Sequence, residues 1–507
     1  MRAFAERAFR PIEAGELLFA VAATGAMSVA AGWALSRPGS AAFAGAATAI
    51  VALGLIAAMN FGAGAGILVL VVLNGLPGVD LESFSTKGSF RVADVAAVAL
   101  VATLAIRTAS QTAPPELAPW LRWSRWWAFT LVSWWAFTVL RSNLLDGIPI
   151  LKAALFGRDF LYFALLVPLF LAGLQTKREI RGLIGALLAG TVLFAAGHVM
   201  LVVFGASSIA GIRPAWFIHE TLTNELSGFT RVYALMGDPV AATVPFAAGL
   251  VLMASTRRLR FVGFFLLVLT GLSVLFEFAR ATYFGLFLGL FFASAFWLSR
   301  RVEGQVARRL AIVVACLTLV GGAILANQRQ STNSPTQAAL NTSSAPATAV
   351  IASRFSSGVG DLSAKAGTVG YRYQVGRRML HVLGNKWPIG LGFWHPDAKY
   401  VGQLPQGSIR NGDVGVLNSL MTMGLLGTIL IYLMPLSLLI AILRKQWHRE
   451  ASADDWFFFG VTGWLVAVFV GSISLVTLFS PSGLVFTAAM LACTIHLLVQ
   501  REAAAGA

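Results

Sequence analysis

The sequence predicts an all-α polytopic membrane protein with about 12–14 transmembrane helices and one large outer loop containing amphipathic helices. Three observations carry this. The 507 residues are 57% hydrophobic and only 12% charged, against about 25% charged in an ordinary soluble domain. Apolar runs near the ~20 residues that cross a bilayer recur along the chain. Lysine and arginine gather on alternate connections, as the positive-inside rule requires. A β-barrel would show short alternating segments instead.

In order, residues 1–14 form a short basic, amphipathic stretch suited to the membrane surface, and no cleavable signal peptide is evident. Predicted spans follow at 15–35, 41–59, 60–78, 92–107, 126–142, 157–174, 182–204, 235–255, 260–278, 281–299 and 310–326. After the outer insert come 411–442, 456–479 and 482–499. The chain thus divides into N-terminal spans (1–326), a large outer loop (327–410) and C-terminal spans (411–507). With the N-terminus in the cytoplasm, twenty Lys/Arg fall in inner segments and nine in short outer ones. The remaining nine lie in the long loop, which the rule does not govern. Both termini are then expected inside. About half of the +16 net charge therefore anchors inner helix ends, and nucleic acid is excluded as the reason for the rest.

The insert opens with "NQRQSTNSPTQAALNTSSAPATA", which has almost no large apolar residue, so 327–352 is expected to be flexible. Residues 370–387 differ. Val375, Met379, Leu380 and Leu383 recur at helical spacing and predict a surface helix, ended by Pro388 and Gly390. Cys316 and Cys493 both sit in spans outside any CxxC pair, so neither a disulfide nor a zinc site is implied. Asp80 and Glu82 spell a DxE without a third ligand, which is too little for a metal site. His219 and His395 read as outer-loop polar residues, and His198 as a packed residue of a span.

Charge at the outer ends of the spans is the main functional signal, because such groups are costly there. Arg231 precedes one span in "GFTRVYALMGDPVAATVPF". Glu277 and Arg280, three apart, flank an outer turn in "FEFARATYFGLFLGLF" and would share a helix face if that turn is helical. Arg372, Arg377 and Arg378 lie on the surface helix, and Arg410 and Asp413 open the next span. Arginine forks match diphosphate oxygens and keep their charge. Gathered at headgroup level, they would bind a lipid-linked pyrophosphate and stabilise the charge that grows as it leaves. Asp413 among such cations suits a general base. Each has a plainer reading. An outer Arg anchors headgroups, Glu277 neutralises Arg280, Arg377 and Arg378 touch phospholipid, and Asp413 caps a helix. Trp387, Phe393, Trp394 and Tyr400 are expected to stack on sugar rings or to belong to an interfacial aromatic belt.

Over about residues 180–440 the chain resembles the O-antigen ligase and Wzy-type polymerase superfamily, bacterial integral membrane glycosyltransferases of the C type. Four features in order carry the resemblance. They are "RVYALMGDP", "FARATYFGL", the loop segment "YRYQVGRRMLHVLGNKWPIGLGF", and the helix entrance ending in "GLLG". The ligases carry a His about eleven residues before the first Gly of that ending. Here the position is Asp413, as in some polymerase-like members. The resemblance implies a metal-independent, inverting polymerase acting at the periplasmic face of the inner membrane. It would act on glycan linked to undecaprenyl pyrophosphate, with no cofactor. Arg231, Arg280 and Arg372 would hold the pyrophosphate, and Asp413 would take the acceptor proton. Arg377, Arg378, Arg410, Glu277, His395 and Trp394 would line the substrate site. Membrane lipids and a chain-length regulator or other assembly proteins would be partners. A ligase with a lipid A-core or protein acceptor is the first alternative. A lipid flippase or transporter is the second, although no inverted repeat is visible.

Overall fold

The computed structural model describes residues 60–73, 92–110, 113–204, 224–226, 229–231, 237–277, 280–299, 304, 306–315, 367–393, 400, 403, 415–447, 455–472 and 481–506. The predicted spans at 15–35 and 41–59 and the stretch 327–352 lie outside them. The helices are α1 (Phe61–Val72), α2 (Val92–Ser110), α3 (Ala118–Asp146), α4 (Ile150–Phe156), α5 (Arg158–Gly173) and α6 (Lys177–Phe204). They continue with α7 (Gly237–Met253), α8 (Arg257–Glu277), α9 (Arg280–Ser299), α10 (Gly367–Leu383), α11 (Gly415–Trp447), α12 (Asp455–Gly471) and α13 (Pro481–Gly506). Residues 306–315 are helical as well.

Five described stretches are long and apolar enough to cross a bilayer: Lys177–Val199, Arg257–Leu275, Thr282–Ser299, Gly415–Trp447 and Gly483–Ala503. A sixth arises if α4 and α5, bent by 61°, form one broken span. The protein is a helical multi-pass membrane protein. One departure from an all-helical reading appears among the described residues. Strands β1 (Asn224–Leu226) and β2 (Phe229–Arg231) pair antiparallel, Asn224 opposite Arg231. Three-residue strands leave too little periodicity to be read from sequence.

Five buried threonines are satisfied within their own helices. Thr191, Thr243, Thr270, Thr462 and Thr494 each donate to the carbonyl four residues back. This keeps the hydroxyls from costing several kcal/mol each in a medium without water. Charges pair between helices. Arg158 Nε lies 2.8 Å from Asp94 Oδ1 at the starts of α5 and α2. At their other ends Arg107 donates to Gly173 O at 2.8 Å and pairs with Glu179. The two helices therefore run parallel and are clamped at both ends. Glu179 also closes a capping box at the start of α6. Its amide donates to Thr176 Oγ1, and its carboxylate accepts from the amides of Gln175 and Thr176.

Small residues allow close helix packing. A Cβ on Gly289 would meet Gly463 O at 2.2 Å, and one on Gly285 would meet Ala467 O at 2.7 Å, so α9 and α12 run antiparallel in near contact. Gly249 against Trp456 and Gly460 against Phe246 pack α7 antiparallel to α12 in the same way. Gly263 against Leu250 pairs α8 with α7. Val416 N donates to Ser472 O at 2.9 Å, joining the start of α11 to the end of α12. The starts of α7, α9 and α11 and the ends of α8 and α12 thus share one end of the bundle. Arg501 and Asp455 pair at 2.5 Å, and Lys445 with Glu502, at the opposite end.

Candidate functional site

The end of the bundle that holds the start of α11 is organised around a break in that helix. Gly424 has φ 70 and ψ −174, a conformation essentially reserved for glycine. A broken helix inside a membrane frees carbonyls before the break and amides after it. The turn "WPIGLGF" (387–393) takes them up. Leu391 N donates to Met421 O at 2.5 Å and Gly392 N to Thr422 O at 3.1 Å. Leu425 N donates to Trp387 O at 2.9 Å and Leu426 N to Pro388 O at 3.4 Å. Those four groups would have bonded to one another in a straight helix, 425 to 421 and 426 to 422. The turn therefore replaces two helical hydrogen bonds with four of its own. Met423 O accepts from Trp134 Nε1 at 2.7 Å, and Gly424 O from Thr428 Oγ1 at 2.8 Å.

The end of α3 holds the turn from its other side. Arg141, 6% exposed, donates to Ile389 O at 2.7 Å. Ser142 Oγ accepts from Phe393 N at 2.9 Å and donates to Thr138 O at 2.9 Å. Trp127 Nε1 reaches Leu430 O at 2.6 Å. With Trp134 this lays α3 antiparallel along α11. Phe393 is buried, its ring against Gly157 and stacked on Phe160 at 6.0 Å. Tyr400 is buried too and donates to Gly392 O at 3.3 Å. Burial raises its hydroxyl well above the ordinary value, Asp146 adding to the rise and Arg141 opposing it. It therefore remains a donor. Phe393 and Tyr400 are thus packing residues, which corrects the expectation that they stack on sugar rings. Apolar and aromatic residues in a glycine-rich turn signal a loop, and only the tertiary contacts reveal that this one is inserted into the bundle.

Through this turn, α10 is fixed to α11. Val375, Met379 and Leu383 are buried, and a Cβ on Gly376 would touch Leu417 at 3.0 Å. The helix runs Gly367–Leu383 rather than to 387, because Gly384 turns left-handed at φ 47. Leu380, expected on the apolar face, is 51% exposed. The inward stripe uses 375, 376, 379 and 383 instead.

Arg231 ends β2, Glu277 ends α8 and Arg280 starts α9. The last two thus flank the connection at the end where α11 begins. Residues 278 and 279 between them lie outside the described residues, so a shared helix face for the pair is not described. Arg372 lies in α10 at a position three, four and seven residues before Val375, Gly376 and Met379, on their face of the helix. Arg377 and Arg378 are exposed on the outward face, and Arg378 Nε donates to Gln403 O at 3.0 Å. Trp394, His395, Arg410 and Asp413 lie outside the described residues, Asp413 two positions before α11. Among the described residues no three His, Cys, Asp or Glu side chains group to hold a metal ion.

Arg141 is one of the nine cations that the predicted topology puts in short outer segments, and neither it nor Ser142 stands out in the sequence as part of a site. The available signal was a guanidinium at the end of a tryptophan-rich span, a position costly enough to require a partner. No known protein family and no curated protein matches the chain.

Proposed function

We propose that the protein is a membrane glycosyltransferase that polymerises lipid-linked oligosaccharide repeat units at the outer face of the bacterial inner membrane. One observation supports the reading above others. The helix ends beside Glu277, Arg280 and Asp413 share one end of the bundle with α10, where position 372 falls in the same register as Val375, Gly376 and Met379. The proposed topology has 12–14 spans and both termini in the cytoplasm.

In this reading Arg231, Arg280 and Arg372 bind the pyrophosphate of an undecaprenyl-pyrophosphate-linked glycan. Arg410, Glu277, His395 and Trp394 line the sugar side, and Arg377 and Arg378 the rim. The Asp413 carboxylate takes the proton from an acceptor sugar hydroxyl. That oxygen forms a bond to the anomeric carbon as the carbon–oxygen bond to pyrophosphate breaks. The leaving lipid pyrophosphate keeps the electron pair, and the anomeric centre inverts. Fixed guanidinium groups supply the charge stabilisation. A chain-length regulator is the partner class expected for such a polymerase.

The test is purified protein with a synthetic lipid-linked oligosaccharide. A ladder of lengthened glycans, abolished by Asp413→Asn, is the expected result. A single transfer to a foreign acceptor identifies a ligase instead. Movement of the lipid across the bilayer with no new glycosidic bond overturns the enzyme reading.

A further inference from the structure

We propose that the outward face of α10, with the turn after it, is a docking surface for the anionic phospholipid of the surrounding bilayer. It is separate from the inward face that carries position 372. From Gly367 to Phe393 the chain holds Arg372, Arg377, Arg378, His381 and Lys386, and neither aspartate nor glutamate. Arg377, Arg378, His381 and Lys386 are all exposed. The hydrogen bond from Arg378 Nε to Gln403 O orients that guanidinium without neutralising it.

Large apolar side chains are exposed beside these cations: Tyr373, Leu380, Ile389, and Trp387 at 50%. A helix with one face packed on the protein and a mixed apolar and cationic face turned outward suits the interfacial zone of a bilayer. There tryptophan, tyrosine and leucine sink toward the acyl chains while arginine and lysine reach phosphate.

The level of the surface is set by the bundle. Arg141 and Ser142 tie Ile389 and Phe393 to the end of α3. Just beyond, Leu144 is 79% exposed, and Ile150 and Leu151 of α4 are exposed beside Lys152. Exposed apolar side chains of the turn and of the α3–α4 corner thus stand on either side of the contacts that Arg141 and Ser142 make. The charge selects the lipid, because cations set among inserting side chains meet headgroup phosphate held in the bilayer rather than a soluble anion. Each such cation contributes on the order of a fivefold preference for an anionic surface.

The full chain is reconstituted in nanodiscs of phosphatidylcholine alone or mixed with phosphatidylglycerol, and amide hydrogen exchange is followed over residues 367–389. Phosphatidylglycerol is expected to slow exchange there, and raised salt to reverse it. The R377Q/R378Q/K386Q variant loses the dependence, whereas R377K/R378K keeps it. Equal exchange in both bilayers overturns the proposal, as does protection that survives in the triple Gln variant. Protection produced in phosphatidylcholine discs by added inorganic phosphate overturns it in favour of a soluble-anion site. Protection produced only by an added acidic protein overturns it in favour of a protein partner. No readout involves glycan synthesis, so failure here leaves the glycosyltransferase reading untouched, and failure there leaves this one untouched.

Discussion

Gly390 and Gly424 meet backbone to backbone. A Cβ on Gly390 would stand 2.4 Å from the amide nitrogen of Gly424, and one on Gly424 would stand 2.5 Å from that of Gly390. Both residues have positive φ, 76° and 70°. Alanine at either position meets a strained backbone and a collision with main chain that cannot swing aside. Gly424→Ala is expected to destabilise by at least about 2 kcal/mol, seen as a lower unfolding temperature in detergent. Gly271→Ala is the control. It lies within α8, and nothing stands within 4 Å of the added carbon. Unchanged or slightly raised stability is expected there. Equal losses at both positions would refute the inserted-turn account.

The Arg141 guanidinium holds the same turn through Ile389 O. Arg141→Met keeps most of the apolar stem but leaves the part-buried Ile389 carbonyl without its charged donor. A loss of about 1–3 kcal/mol is expected. The change should also speed amide exchange at Leu391 and Gly392, whose donors are held by α11. If exchange quickens only within α3, Arg141 does not govern the turn.

Most of the helices were legible in the sequence, because length and apolar content alone decide what spans a bilayer. The surface helix was legible from Val375, Met379 and Leu383. The break at Gly424 was not, since "GLLG" reads as a continuation of an apolar run. What makes it a break is a turn more than thirty residues upstream that supplies the missing hydrogen bonds. The burial of Phe393 was hidden for the same reason, because its ring packs against the glycine that joins α4 to α5, Gly157. The bend between α4 and α5 was equally silent. Of the candidate site, residue types and order were readable. The shared end of the bundle followed only from contacts between glycines and carbonyls far apart in the chain.

Asp94 and Arg158 form a buried pair at the starts of α2 and α5. Removing one partner leaves an uncompensated charge in an apolar surround, so Asp94→Ala is expected to cost about 3–5 kcal/mol. Asp94→Asn combined with Arg158→Gln removes both charges and should recover much of that loss. Thermal unfolding of Asp94→Asn, of Arg158→Gln and of the double variant measures the coupling. Additive losses would mean that the two side chains act independently.

The arginines of α10 divide by helix face, and this separates the proposed pyrophosphate contact from the rim and the membrane surface. Residue 372 shares the face of Val375 and Met379, which turns toward α11, whereas Arg377 and Arg378 point away. If pyrophosphate is held between α10 and the start of α11, Arg372→Ala should lower turnover by about a hundredfold or more, the scale of one lost donor to a developing anion. Arg372→Lys should restore little of it, because an ammonium cannot offer the planar fork. Arg377→Ala and Arg378→Ala should cost less than about tenfold each. Glycan ladder length and initial rate with a lipid-linked oligosaccharide measure all four. A larger loss at 377 or 378 than at 372 would place the anion on the outward face, and the inward packing of α10 would then have no part in the chemistry.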